Sequence, residues 1–423
     1  MKRAVARNVS LPVLLGLSMG LTLPAAGQVD SSRANSYFRE AATLCAREGG
    51  RLWGVSLCGP MVFADAATGT IATNRPVPDA ARPRALGYAN TAVEWGGLRW
   101  ATYIWQLLPV DDSHKRGRLM IHELFHRVQD QLGLMVSGGS NDHLDTLEGR
   151  YWLQLEWKAL AASLQLSGPE RVAALRDALA FRNIRHEAFP DTSPNERADE
   201  IREGLAQYTG TLAAVSSHDE AIASALAQLA DAVEQPTFVR TFAYPSGVAY
   251  GLLLDAWAPG WTRQVTAASD LGNLLMASVG VQPEEDARGA AAKYGGVELR
   301  AVEEKREELR KIRVVALSRR FVEGPVLVLP RGRGASLVTT GATPIPGHGT
   351  IFLTYRVTGE WGSFETTTGV LVSEDGQTLT VPAPPSVAGR TFGGEGWTVT
   401  LEQGWSVHPG PRPGDYQIAR EQP

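Results

Sequence analysis

The pentapeptide His-Glu-Leu-Phe-His at residues 122–126 constrains this chain more than any other feature of its sequence. An α-helix advances 3.6 residues per turn, so His122 and His126 lie on one face and can bind one metal ion together. Glu123 projects beside that face, where it can accept a proton from a water on the metal. The pattern therefore predicts a helical metal site with a base next to it.

The flanking residues favour a helix around this pentapeptide. Asp111, Asp112 and Ser113 offer N-cap oxygens at its start, and Gly133 is a suitable C-cap. Apolar residues recur between them: Leu119, Met120, Leu124 and Val128. Burial of two imidazoles and a carboxylate on such a helix is costly unless a partner satisfies them, and a cation satisfies all three.

A third protein ligand is needed, because catalytic zinc takes three and leaves the fourth position to water. Gln129 and Leu132 stand where a metzincin has its glycine and third histidine, so that arrangement is excluded. A carboxylate from a later helix remains, and Glu203 in the segment Arg-Glu-Gly-Leu-Ala-Gln-Tyr-Thr at 202–209 supplies one. Two nearer glutamates, Glu148 and Glu156, stay open as alternatives.

This segment resembles the glutamate helix of the gluzincins, the HExxH-plus-Glu zinc peptidases that include thermolysin and the one-zinc aminopeptidases. Several of those families carry an Asn-Glu-Gly-x-Ala-x-Tyr string, which four residues match here while Arg202 replaces the Asn: Glu203, Gly204, Ala206 and Tyr208. The 77 positions from His126 to Glu203 are more than thermolysin-like enzymes have, although some gluzincin families contain long insertions. We expect the small Gly204 and Ala206 to let this helix approach the His122 helix closely.

The resemblance implies an α+β, zincin-like metallopeptidase domain over residues 28–312. It further implies Zn²⁺ held by His122, His126 and Glu203, with Glu123 as general base. Tyr244-Pro245-Ser246-Gly247 resembles the Tyr-x-x-Gly turn of aminopeptidase-like gluzincins, and this implies that Tyr244 stabilises the oxyanion.

Other residues could replace Tyr244 in that role. Tyr250 and His186 are the substitutes that the sequence offers. A nucleophilic role for Ser246 is disfavoured, because Tyr-Pro-Ser-Gly-Val is not a Gly-x-Ser-x-Gly elbow.

The first 27 residues have the pattern of a signal peptide. Lys2, Arg3 and Arg7 form a positive n-region, residues 11–23 an apolar stretch, and Ala-Ala-Gly at 25–27 a cleavage site. No later segment has enough uninterrupted apolar residues for a transmembrane helix. We therefore expect a secreted or periplasmic protein without an integral membrane segment after signal removal.

The cysteine content agrees with export. The chain has two cysteines, Cys45 and Cys58, on either side of the Gly49-Gly50 pair, where the chain can fold back. An oxidising compartment favours a disulfide between them.

Length and composition indicate more than one domain. A chain of 423 residues with 43% hydrophobic residues can bury large cores, and a formal charge of −4 offers no basic surface for nucleic acid.

Strand patterns between Met61 and Trp105 predict a small sheet before the HELFH helix, and mainly helical signals follow from Leu147 to Ile312. Residues 313–423 change to short β-rich runs split by Gly and Pro, which predicts a small β-sandwich or barrel.

Together these features predict an exported zinc metallopeptidase that hydrolyses peptide or protein substrates. An inactive exported binding or envelope-scaffold protein is one alternative. A metal-dependent hydrolase of a non-peptide bond is the other.

Overall fold

The computed structural model describes residues 28–83, 85–331, 336–338 and 342–421, and the predicted signal peptide lies outside them. The fold is α+β, as predicted: a largely helical region is followed by a β-sheet region. The helices are α1 Ser31–Glu48, α2 Ser113–Val128, α3 Leu147–Gln165, α4 Gly168–Ala188, α5 Ser193–Asp199, α6 Leu205–Ala214, α7 His218–Val233, α8 Ala243–Trp257, α9 Leu271–Val279, α10 Ala287–Ala290 and α11 Gly296–Ser318. In the part of the chain that the structure describes, no helix is both long and apolar enough to cross a membrane.

The strands form three sheets. Those of the helical region are β1 Met61–Ala64, β2 Ile71–Thr73, β3 Thr91–Trp95 and β4 Leu98–Ile104. Those of the β region are β5 Val326–Pro330, β6 Ser336–Val338, β7 Ala342–Ile345, β8 Gly349–Phe352, β9 Tyr355–Gly359, β10 Gly362–Thr366, β11 Val370–Val372, β12 Thr378–Pro382, β13 Thr391–Gly394, β14 Trp397–Leu401, β15 Trp405–Pro409 and β16 Tyr416–Arg420.

The predicted small sheet is present and precedes α2 in the chain. Its order is β2-β1-β4-β3, with β1 and β4 parallel and the other pairs antiparallel. Trp95 and Trp100 pack against each other in a small apolar cluster of their own. Tyr103 of β4 instead donates its hydroxyl to the carbonyl of Met120 in α2 (2.7 Å), so the sheet is attached to the helix that carries the histidines.

The predicted disulfide between Cys45 and Cys58 is also present. Helix α1 ends at Glu48 because Gly49 takes a left-handed conformation (φ 61°), which turns the chain back. The bond therefore ties the last turn of α1 to the segment that enters β1, and α1 packs on α2 and α6.

Helix α2 starts where the sequence predicts and ends earlier than expected. The carboxylate of Asp112 caps it by accepting from the backbone N–H of Lys115 (2.8 Å). The helix ends at Val128, and Gly133, at φ 68°, instead closes a separate turn in which the N–H of Leu134 bonds to the carbonyl of Gln129. Gly133 is thus a turn residue and not the C-cap of α2.

Gly204 approaches a neighbouring helix closely, but that helix is α8 and not α2. A Cβ on Gly247 of α8 would lie 2.3 Å from the Cα of Gly204, so these two backbones touch with no side chain between them. The close approach of α6 to α2 occurs one turn and a half later, where a Cβ on Gly210 would lie 2.4 Å from the carbonyl oxygen of Arg118. Gly204 therefore fixes its segment against α8, and the expectation about the His122 helix was wrong for this residue.

The Tyr-Pro-Ser-Gly segment is helical and not a turn. Tyr244 is the second residue of α8, and Pro245 follows it in the first helical turn. Backbone N–H groups in that turn have no acceptor within the helix, so proline, which lacks the N–H, fits there. This places Tyr244 beside the Gly204–Gly247 contact.

The change from helices to strands comes later than the predicted boundary at residue 313. Helix α11 runs through that point to Ser318, and a π-helical turn, Arg319–Glu323, leads into β5. The β region is a sandwich of a five-stranded sheet, β13-β14-β10-β9-β6, and a seven-stranded sheet, β15-β16-β5-β12-β11-β8-β7, with one apolar core between them. A second apolar cluster around Phe321 joins α11 to this sandwich.

We predict that Gly247→Ala lowers the free energy of unfolding by about 1–3 kcal/mol, because the added methyl group would meet backbone that cannot move aside. Denaturant unfolding followed by circular dichroism measures this. Gly117→Ala is the matched control: it too is a helical glycine, but its new Cβ would meet only the end of the Leu44 side chain. An equal loss in both variants would contradict the tight contact.

Candidate metal centre

Helix α2 brings three potential ligands of the HELFH segment together. His122 and Glu123 are each only 4% exposed, and His126 is half-buried. The rings of His122 and His126 have centroids 4.7 Å apart. His122, Glu123 and His126 each offer one ligand atom within 4.8 Å of the others, which is the spacing that a single metal ion requires.

The predicted third ligand lies at the same place. Glu203 sits in a π-helical turn, Glu200–Gly204, between α5 and α6, and such one-turn widenings of a helix occur frequently at functional sites. Its Oε2 is 3.3 Å from Nε2 of His122 and 3.4 Å from Nε2 of His126. The two Nε2 atoms are 3.0 Å apart. Three donor atoms thus form a nearly equilateral triangle.

The other oxygen of Glu203 is held away from the histidines. Arg202 donates from Nε to Oε1 of Glu203 (3.1 Å) and also bonds to Asp199 (2.6 Å). Asp199 in turn accepts from Asn141 (2.8 Å). Because Oε1 is occupied in this chain of bonds, Oε2 is left to face the imidazoles.

The remaining ring nitrogens are bonded to two glutamine side chains. Nδ1 of His126 lies 2.6 Å from Oε1 of Gln129, and Nδ1 of His122 lies 3.1 Å from Oε1 of Gln207. The Gln129 amide nitrogen donates to the carbonyls of Ile201 and Arg202, so its oxygen must be the atom that faces His126. We therefore assign the proton of each neutral ring to Nδ1, which leaves a lone pair on each Nε2.

This arrangement points three lone pairs at one another. When both rings are neutral and carry their proton on Nδ1, neither Nε2 atom has a hydrogen to share with its neighbour or with the Glu203 carboxylate, whereas a protonated His126 has one. Such a cluster is unfavourable until a cation stands among its members. Ligand atoms around a tetrahedral zinc ion at its usual bond lengths are roughly 3.3–3.4 Å apart, which the observed spacings match closely. The donor set fits zinc.

The electrostatics of the cluster favour positive charge on it. Burial acts against protonation of His126, but the hydrogen bond with Glu203 and the charge of Glu123 outweigh it and raise the pKa of His126 to about 9. Burial likewise acts against ionisation of Glu203, yet its contacts with His122 and His126 lower the pKa of this carboxyl well below its usual value. The cluster therefore favours a positive charge beside the ionised Glu203, and either a proton on His126 or a metal ion supplies it.

Glu123 has the surroundings of a proton acceptor rather than a structural group. Its Oε2 is buried and has no hydrogen-bond partner among the residues described. Burial raises the pKa of Glu123, and the nearby histidines act in the opposite direction. A carboxylate with an unused oxygen beside a metal site can take up a proton from water there.

Tyr244 also lies at the cluster. Its ring stacks on that of His122, with centroids 5.5 Å apart and an angle of 11° between the planes. Burial and the charges of Glu203 and Glu123 raise the pKa of the phenol well above its usual value. Tyr244 therefore keeps its proton and can donate it in a hydrogen bond.

The alternative glutamates lie elsewhere. Glu148 accepts from the indole of Trp152 (2.9 Å) and from Arg300 of α11 (2.6 Å) on the outside of α3. Glu156 is fully buried and pairs with Arg185 and Arg182 of α4. Neither carboxylate is near the two histidines, so the structure brings Glu203 alone of these three glutamates to them.

The substitutes for Tyr244 are likewise engaged at other places. The Tyr250 hydroxyl donates to Glu156 (2.7 Å), and His186 lies 3.2 Å from Glu196 in the same buried ion-pair network. Ser246 accepts from the indole of Trp157 (2.8 Å) and is 1% exposed. These contacts are those of core residues.

A cleft of about 400 Å³ opens beside Glu203 and Tyr244. It is bounded by the 138–142 loop, by the π-helical turn and by the start of α8, and strands β7 and β8 of the sandwich form its far wall through Ala342, Thr350 and Phe352. The β region therefore contributes directly to the surroundings of the candidate centre, a role that its sequence did not indicate.

Sequence reasoning missed the two glutamines. Gln129 stands three residues after His126, a spacing that places its amide on the same helix face as the ring it bonds to, and Gln207 stands four residues after Glu203, on the same face as this glutamate. That spacing was available as a signal. The contact between Gln207 and His122, however, depends on how α6 packs on α2.

Comparison of this chain with protein-family models, curated proteins and solved structures finds no match. Only the geometry of this site therefore indicates a function.

We predict that Gln129→Met weakens zinc binding roughly 10- to 100-fold, because a side chain of similar size remains but no longer orients His126. Competition with a chromophoric chelator gives the affinity, and circular dichroism checks that the fold is kept. Gln165→Met, at the exposed end of α3, is the control and should bind zinc as the wild type does. Unchanged affinity in Gln129→Met would mean that the His126 ring needs no such support.

Proposed function

We propose that this chain is a zinc-dependent peptidase of the gluzincin type, with a zincin-like domain and a β-sandwich that borders its cleft. His122, His126 and Glu203 would hold the metal. Glu123 serves as general base and Tyr244 as the donor to the oxyanion. The signal-like N-terminus further suggests that the protein acts on peptides or proteins outside the cytoplasm.

One observation carries this proposal: Nε2 of His122, Nε2 of His126 and Oε2 of Glu203 converge within 3.0–3.4 Å of one another. A metal ion satisfies all three, and the two Nδ1 bonds to glutamine keep the rings in the form that ligates. A site that only stabilised the fold would have no use for the free oxygen of Glu123 beside it. That oxygen favours catalysis over a merely structural metal.

The residues divide the chemistry among them. Zinc, when bound, supplies a Lewis acid that polarises the scissile carbonyl and lowers the pKa of water to about 7. Glu123 accepts a proton from the attacking water and passes it to the leaving amine. Tyr244, which burial keeps protonated, donates to the developing oxyanion. Arg202 holds Glu203 in this orientation by donating to its other oxygen.

We predict about one zinc ion per chain in the purified protein, measured by elemental mass spectrometry, and its loss in Glu203→Ala. Removal of one of three protein ligands leaves too few donors for tight binding. Glu148→Ala is the matched control, since this glutamate also lies on a helix and in an ion pair but away from the histidines. Zinc lost with Glu148→Ala and kept with Glu203→Ala would show that Glu148, and not Glu203, is the third ligand. No zinc in any sample after supplementation would favour the binding-protein alternative.

We predict that Glu123→Gln keeps zinc and fold but lowers kcat for peptide hydrolysis by roughly 10²- to 10⁴-fold, because an amide cannot accept the proton. Casein and mixed peptides serve as substrates, and zinc content is measured on the same samples. Hydrolysis at the wild-type rate would overturn the role of Glu123. Activity of the wild type on esters but not on peptides would instead favour a hydrolase of another bond.

A further inference from the structure

The cleft beside the candidate metal centre has an uneven charge distribution. Its charged lining residues are Asp142, Asp199, Glu203, Arg202 and Arg240. Most of these charges are compensated locally. Arg202 bonds to both Asp199 and Glu203, and Oε2 of Glu203 faces the histidines.

Asp142, the remaining carboxylate of the cleft, has a partner in its own loop. Ser140 donates its hydroxyl to this carboxylate. Burial raises the pKa of Asp142, and the nearby charge of Asp145 acts in the same direction. Each carboxylate of the cleft therefore already has a hydrogen-bond or ion-pair partner.

Arg240 differs from all of them. It is exposed at the cleft, in the turn that precedes α8, and makes no hydrogen bond or ion pair with any residue that the structure describes. It lines the same cleft as Glu203 and Tyr244, so its charge lies close to the candidate centre. An unpaired guanidinium beside the reacting groups can bind an anion of the substrate.

We infer that Arg240 binds a carboxylate of the substrate, so that the enzyme prefers peptides with a negative charge close to the scissile bond. This inference rests on the proposed peptidase function. A guanidinium recognises a carboxylate through two parallel hydrogen bonds, and the negative charge of the carboxylate neutralises the positive charge of the arginine. The carboxylate is either the C-terminus of a peptide or an Asp or Glu side chain, and the two sources have the same chemistry.

The rest of the cleft fits a bound peptide segment next to such a charge. Phe352 of the sandwich and Val239 offer apolar surface, while Thr241 and Thr350 have hydroxyls for backbone contacts. A volume of about 400 Å³ holds only a few residues of an extended chain. The recognised carboxylate therefore lies within a short distance of the bond that Tyr244 and Glu123 would act on.

The test uses the zinc-loaded full chain and a proteome-derived peptide library, in native and in C-terminally amidated form, with cleavage sites read by mass spectrometry. We expect cleaved sequences to carry either an acidic residue or a free C-terminus at a fixed position. Matched peptides, with Glu replaced by Gln or with an amidated terminus, then give kcat/KM for each source of the carboxylate. Arg240→Gln should lose roughly 10- to 100-fold in kcat/KM on the charged peptide and little on its neutral counterpart.

Two further measurements separate recognition from damage to the site. Arg240→Gln should keep the wild-type zinc content, and Arg39→Gln, an exposed arginine of α1 outside the cleft, should keep the preference for charge. In the Glu123→Gln background, calorimetric titration with the charged and the neutral peptide should show tighter binding of the charged one, and this difference should vanish when Arg240→Gln is added.

The outcomes distinguish this inference from the function on which it rests. Equal hydrolysis of charged and neutral peptides by the wild type, or an unchanged preference in Arg240→Gln, would overturn the role of Arg240 and leave the peptidase proposal intact. Absence of hydrolysis from both libraries, despite bound zinc, would overturn both.

Discussion

The candidate centre depends on the direct contact between two glycine backbones. Gly204 follows the glutamate that faces the histidines, and Gly247 is the fifth residue of α8, so their contact sets how close the two segments come. The same contact brings Tyr244, three residues before Gly247, to the ring of His122. A side chain at either glycine would push the segment that carries Glu203 apart from the start of α8, which carries Tyr244.

The π-helical turn that carries Glu203 is held from its other side by buried charge. Glu200, in the same turn, accepts two bonds of 2.7 Å each from Arg182 of α4. Arg185, one turn further along α4, pairs with Glu196 of α5 and with Glu156 of α3. Removal of one partner from such a buried network leaves an uncompensated charge, so the network holds its helices in one arrangement. Glu156, a rival for the metal on sequence grounds, belongs to this scaffold.

Features set by interactions between residues close in the sequence agree with expectation, and several features set by contacts between distant residues do not. Asp112 starts α2 where expected, because capping is decided within four residues. The end of α2 was misplaced, because Gly133 suits a helix cap and a separate turn equally well and the surrounding contacts select the turn. The sequence reading of Tyr244 to Gly247 as a turn failed for a similar reason: proline is tolerated in the first turn of a helix, and Gly247 is placed by its packing on Gly204.

The sequence by itself determined the two imidazoles on one helix face, since a spacing of four residues and the helical period require it. It also indicated the cysteine pair and the strand-rich C-terminal region, because cysteine number and strand patterns are local properties. Only the tertiary structure decided which of Glu148, Glu156 and Glu203 meets the histidines. It alone placed Gln207 behind His122 and the sandwich beside the cleft. These contacts join residues distant in the chain, and helix packing, which no local pattern encodes, sets their distances.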